Sequence, residues 1–77
     1  MDMRKLVGRN VRRIRLQKSL TQEQLSASSG FSQQYISDLE RGLRNPTVVS
    51  VYELAQALGV NYLELMKPDR SRKRAAG

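Results

Sequence analysis

Residues 21–42 read TQEQLSASSGFSQQYISDLERG, and this stretch decides the fold. Thr21 is a good helix N-cap, and Gln24, three residues on, completes a capping box. Leu20 before the cap and Leu25 after it stand at the two positions of a hydrophobic staple. The pattern then recurs. Ser32 caps a second helix, with Phe31 and Ile36 at its staple positions. Between the two, Gly30 can take the positive φ that a sharp exit from a helix requires. Two capped starts separated by a glycine predict helix–turn–helix in place of one long helix. The same turn also joins helices in proteins with no nucleic-acid role, so geometry alone does not assign a function.

The faces of the second helix add chemistry. At about 100° per residue, Ile36, Leu39 and Glu40 share one side. Gln34, Ser37, Asp38 and Arg41 lie opposite, and Gln33 points forward from the first turn. A glutamine amide offers one acceptor and a donor to the N6–H and N7 of adenine, a pairing that discriminates by roughly 1–3 kcal/mol. Gln33 and Gln34 stand at the end of the helix that would enter a major groove first. Ser37 and Asp38 face the same way. Asp38 is the odd member, because DNA repels it. Three roles are open to it: accepting from cytosine N4, repelling other bases, or orienting Gln34.

Outside the motif the helices read as architecture. Over residues 3–18, Val7, Val11 and Ile14 form an apolar stripe with Arg9, Arg12 and Arg13 off it. Asn45-Pro46-Thr47 interrupts the chain, and Thr47 is placed to cap a helix carrying Val51, Leu54, Ala55 and Leu58 on one face. Gly59 stops that helix, with Val60 covering its last turn. Asn61 and Glu64 form a further capping box and predict a short fifth helix to about residue 66. Residues 67–77, KPDRSRKRAAG, are basic and poor in core residues, and predict a disordered tail.

Charge is distributed unevenly. The chain of 77 residues carries +7, with no cysteine and no histidine. Residues 1–18 hold seven basic groups against Asp2, and residues 67–77 hold five against Asp69. Residues 19–66 hold only Arg41 and Arg44 against five acids. Attraction to phosphate must therefore come largely from the two ends. The size predicts one domain, residues 1–66, followed by the tail. No apolar run approaches the roughly 18–20 residues of a membrane span, and the start of the chain is charged. A cytoplasmic protein with no disulfide, no thiolate metal site and no cofactor is expected. Without histidine or cysteine, and with carboxylates scattered, no nucleophile–base pair or metal site is legible, which argues against an enzyme.

The runs TQEQLS, SQQYISDLERG, RNPT and LAQALGV resemble the Cro/lambda-repressor helix-turn-helix family, also called the XRE family, over about residues 6–66. The resemblance implies an all-α, compact five-helix domain whose third helix reads the major groove of double-stranded DNA. Ser26 and Ser29 depart from its usual alanines, and Ser19 stands where glycine is common. Glu40, on the inward face, is costly unless paired. The resemblance supplies Arg15 as its partner, and it places Gln22 on the DNA backbone, where the free N–H groups of a helix start favour phosphate. Arg44 and Asn45, in the loop after the reading helix, are the next phosphate candidates, with Arg41 and the flanking Tyr35. The function implied is a transcriptional regulator, a repressor or autoregulator, binding a near-palindromic operator as a homodimer. Tyr62 and Leu65 are the exposed apolar residues expected at the dimer interface, and no small-molecule ligand is indicated. The size resembles both phage Cro-type regulators and restriction–modification controllers. A protein–protein adaptor, or an antitoxin-like partner on the same fold, is the competing reading.

Overall fold

The computed structural model describes residues 2–68. Four α-helices follow one another: α1 (Met3–Gln17), α2 (Gln22–Ser29), α3 (Gln33–Glu40) and α4 (Val48–Leu58). A single 3-10 turn, Tyr62–Leu65, comes after them. The described residues contain no strand. The five-helix expectation is thereby corrected to four helices and a turn. The cause is local. Asn61 Oδ1 accepts from the Leu63 amide, at 2.8 Å, and the backbone closes by i→i+3 bonds from Glu64 to Asn61 and from Met66 to Leu63. This is the tight winding of a 3-10 turn, which seldom extends further. The tail expectation covers residues 67–77; of these Lys67 is tied to the domain through its carbonyl, which accepts from Asn10 Nδ2 at 2.8 Å, and residues 69–77 lie outside the described residues.

The helix starts follow their caps. Thr21 Oγ1 accepts from the Gln24 amide at 3.0 Å, while Gln24 Oε1 accepts from the Thr21 amide at 2.8 Å. Ser32 Oγ accepts from the Tyr35 amide, and Thr47 Oγ1 from the Ser50 amide, each at 3.0 Å. Asp2 caps α1 in the same way through the Arg4 amide. Three helices end alike, with a residue in the left-handed region and a 6→1 backbone bond behind it. Gly42 (φ 78) follows α3 with Leu43 N–H bonded to the Asp38 carbonyl; Gly59 (φ 75) follows α4 with Val60 N–H bonded to the Ala55 carbonyl. Ser19 (φ 58) follows α1 with Leu20 N–H bonded to the Arg15 carbonyl, so a serine occupies the position best suited to glycine.

The apolar stripes converge on one core. Val11, Leu25, Ile36, Leu39, Leu54 and Leu65 are fully enclosed, with Val7, Ile14, Val51 and Leu58 nearly so. Leu20 and Phe31, the outer staple residues, pack against this core. Gly8 lets α1 lie directly on the end of α3, because a Cβ there would collide with the Leu39 carbonyl oxygen. Asn10 is 1% exposed in the middle of the α1 stripe. Its Nδ2 donates to the carbonyls of Leu65 (2.9 Å) and Lys67 (2.8 Å), pinning the end of the 3-10 turn to α1. Packing of the same turn gives a second correction. Leu65 is drawn fully into the core and offers no exposed surface for an interface, whereas Tyr62 stays 44% exposed.

Candidate nucleic-acid interface

The inward face of α3 is Ile36, Leu39 and Glu40, all buried. Glu40 meets Arg15 as a bidentate pair, Nε to Oε2 at 2.7 Å and Nη2 to Oε1 at 3.0 Å. The free Nη1 of Arg15 donates to the Leu20 carbonyl at 2.8 Å, and Gln22 Nε2 donates to Glu40 Oε1 at 3.0 Å. One carboxylate therefore gathers the end of α1, the start of α2 and the end of α3. Every lone pair and donor used in this way lowers the cost of burying the charges. Gln22 faces inward to Glu40, a tie that the sequence did not suggest.

The opposite face of α3 is open. Gln33 and Gln34 are exposed in its first turn, and Ser37 and Asp38 are half-buried one turn later. Asp38 Oδ1 accepts from Gln34 Nε2 and from Arg41 Nη2, each at 2.9 Å. The Arg41 and Gln34 hydrogen bonds hold the Asp38 carboxyl below the ordinary carboxylate value, so it is charged throughout the neutral range. Beside this row, Phe31 and Tyr35 stack with centroids 4.7 Å apart. The Arg44 guanidinium lies 4.9 Å from the centre of the Tyr35 ring, a cation–π contact that steadies a loop arginine. Asn45 is exposed next to it.

The serines that replace the usual alanines find partners at the turn. Ser26 Oγ donates to the Phe31 carbonyl, and Ser29 Oγ accepts from the Phe31 amide at 3.2 Å. Their hydroxyls thus brace the turn between α2 and α3. Sequence reasoning missed Gly8 and Asn10, although a polar residue three positions from Val7 on an apolar stripe was a usable signal. It also missed the placement of Arg44 over Tyr35, which depends on a loop path with no periodic pattern.

A second surface is apolar. Val48 (81%), Val49 (64%) and Tyr52 (50%) of α4 are exposed beside Tyr62 of the 3-10 turn, the rings of Tyr52 and Tyr62 are 6.3 Å apart, and Leu63 of the same turn is also exposed. Among the described residues, no group of acidic, histidine or cysteine side chains is arranged to hold a metal ion, and no helix is long and apolar enough to cross a membrane.

Comparison with known proteins agrees with this arrangement. A family model described as helix-turn-helix matches residues 11–65. An uncharacterized HTH-type transcriptional regulator of Sinorhizobium fredii, y4dJ, is 68% identical over 68 residues, covering 88% of each chain. The crystal structure of a hypothetical transcription factor from Neisseria superposes with a TM-score of 0.86 at 31% identity, covering 96% of this chain and 85% of that one. The restriction-modification controller protein C.Esp1396I, solved as a tetramer with its natural 35 base-pair operator, superposes with a TM-score of 0.77 at 31% identity over 87% of this chain and 99% of that one.

Proposed function

Because the chain belongs to the helix-turn-helix family, we propose that it is a sequence-specific, double-stranded DNA-binding transcriptional regulator, a repressor or autoregulator acting in the cytoplasm. The observation that carries this reading is the two-sided build of α3. Its inward face is clamped by the buried Arg15–Glu40–Gln22 network, and its outward face presents Gln33 and Gln34, exposed and at the leading end. A rigidly held helix with exposed amides at its tip suits base reading in a major groove. Gln33, Gln34 and Ser37 are assigned to base edges, with Asp38 on the same face. Gln22, whose Nε2 carries a second N–H beyond the one given to Glu40, is assigned to phosphate together with Arg41, Arg44, Asn45 and the Tyr35 hydroxyl.

One such helix reads only a few base pairs, and a tight site needs two half-sites about one turn of DNA apart. The exposed apolar surface of Val48, Val49, Tyr52, Tyr62 and Leu63 supports a homodimer. The oligomeric, operator-bound state of C.Esp1396I supports the same organisation.

Selection from a random duplex pool with the full chain tests the reading. A recovered site with two inverted half-sites is the expected result. Substituting Gln33 and Gln34 together by alanine is expected to lower affinity for that site by about tenfold to a thousandfold while leaving the helical content intact. A folded double variant that binds the site unchanged would remove the assignment of base reading.

A further inference from the structure

Asp38 is the residue that electrostatics would exclude from a DNA-facing surface, and its contacts give it a use. Its Oδ1 accepts from Gln34 Nε2 four residues before it and from Arg41 Nη2 three residues after it, both at 2.9 Å. A glutamine amide has two N–H groups and one carbonyl oxygen. Unrestrained, it can meet either purine in the major groove. Two N–H groups match the two acceptors of guanine, O6 and N7. One N–H and the carbonyl match the acceptor and donor of adenine, N7 and N6. With one N–H committed to Asp38, Gln34 retains one donor and one acceptor. That is the adenine set. Reading guanine would require breaking a charge-assisted hydrogen bond and turning a carboxylate toward two acceptors. Arg41 on the same oxygen fixes the carboxylate and offsets its charge, so that its nearness to the backbone is tolerated.

We propose that Asp38 is a positioning residue that makes Gln34 select adenine over guanine. The inference rests on the reading of α3 as the groove helix. Gln33 supplies an internal control, because among the described residues its side chain has no such tie.

The experiment begins with the site selected by the full chain. The base pair read by Gln34 is the one whose preference disappears in Gln34→Ala. Binding is then measured to duplexes with adenine or guanine at that pair, for the parent, Asp38→Ala and Asp38→Asn. Alanine removes the acceptor but keeps the Asp38 backbone carbonyl that Leu43 uses to end the helix. Circular dichroism checks that each variant is folded. The expected result is a fall of about tenfold in the adenine-to-guanine ratio for Asp38→Ala. Asp38→Asn, whose side-chain carbonyl can accept the same N–H, is expected to keep most of the ratio. The preference read by Gln33 should not move. An unchanged ratio in Asp38→Ala overturns the proposal. So does an Asp38→Asn variant as unselective as alanine, since charge and not amide orientation would then be at work. A parent chain with no base preference at any position would instead overturn the groove-helix reading itself.

Discussion

Ser19 holds φ 58, the left-handed region, at the end of α1. An L side chain there costs about 1–2 kcal/mol, part of which glycine gives back through its greater freedom in the unfolded chain. Ser19→Gly is therefore expected to stabilise the fold by about 0.5–1 kcal/mol, read as a higher urea midpoint with an unchanged slope. At this scale the sequence was most legible where partners are near neighbours. Thr21, Ser32 and Thr47 each bond an amide three residues away, so the cap is written in one short string. Gly8 and Asn10 were not legible, because what they meet, Leu39 and Leu65, is far along the chain. Arg15 and Glu40 are 25 residues apart, and their pairing was available only through resemblance to a family.

Among the elements, α3 depends most on others. It has eight residues, too short to hold its shape in isolation, and it is kept by packing and by the ion pair under it. Removing one partner of a buried pair leaves an uncompensated charge at about 3–5 kcal/mol. A domain of this length has only about 4–12 kcal/mol of stability in total. Arg15→Met or Glu40→Met alone is thus expected to remove about a quarter or more of the stability of the fold. The double variant, which removes both charges, should be markedly more stable than the two single effects add up to. Chemical denaturation of the three variants measures that coupling, and additive effects would mean that the pair does not act as a unit. The 3-10 turn marks the limit of sequence reading at this scale. Asn61 and Glu64 have helix-start spacing, but Asn61 caps the amide two residues on, and the winding tightens.

For the whole molecule, the proposed function puts charge and recognition in different places. The stretch from 19 to 66, which holds α3, is acidic on balance, and the surplus positive charge belongs to the two ends. Removing residues 69–77 deletes four basic groups and one acidic group while leaving α3 and its clamp in place. Affinity should fall for all duplexes alike, and the slope of log K against log salt should flatten by about one unit for each phosphate no longer neutralised. Base preference should be unchanged. Titrations at several salt concentrations with specific and random duplexes check both halves of this statement. An unaltered slope would place the electrostatic work on α1 and the α3–α4 loop instead.

The inward residues of α3, Ile36, Leu39 and Glu40, and its outward residues, Gln33, Gln34, Ser37 and Asp38, with Arg41 at the C-cap, have no member in common. The helix is thus a replaceable cartridge. If α3 is the groove helix as proposed, its outer positions can be rewritten for a new operator, Gln34 and Asp38 together, while the socket that receives it stays as it is. In a chain this small, that separation lets recognition diverge without the fold having to be found again.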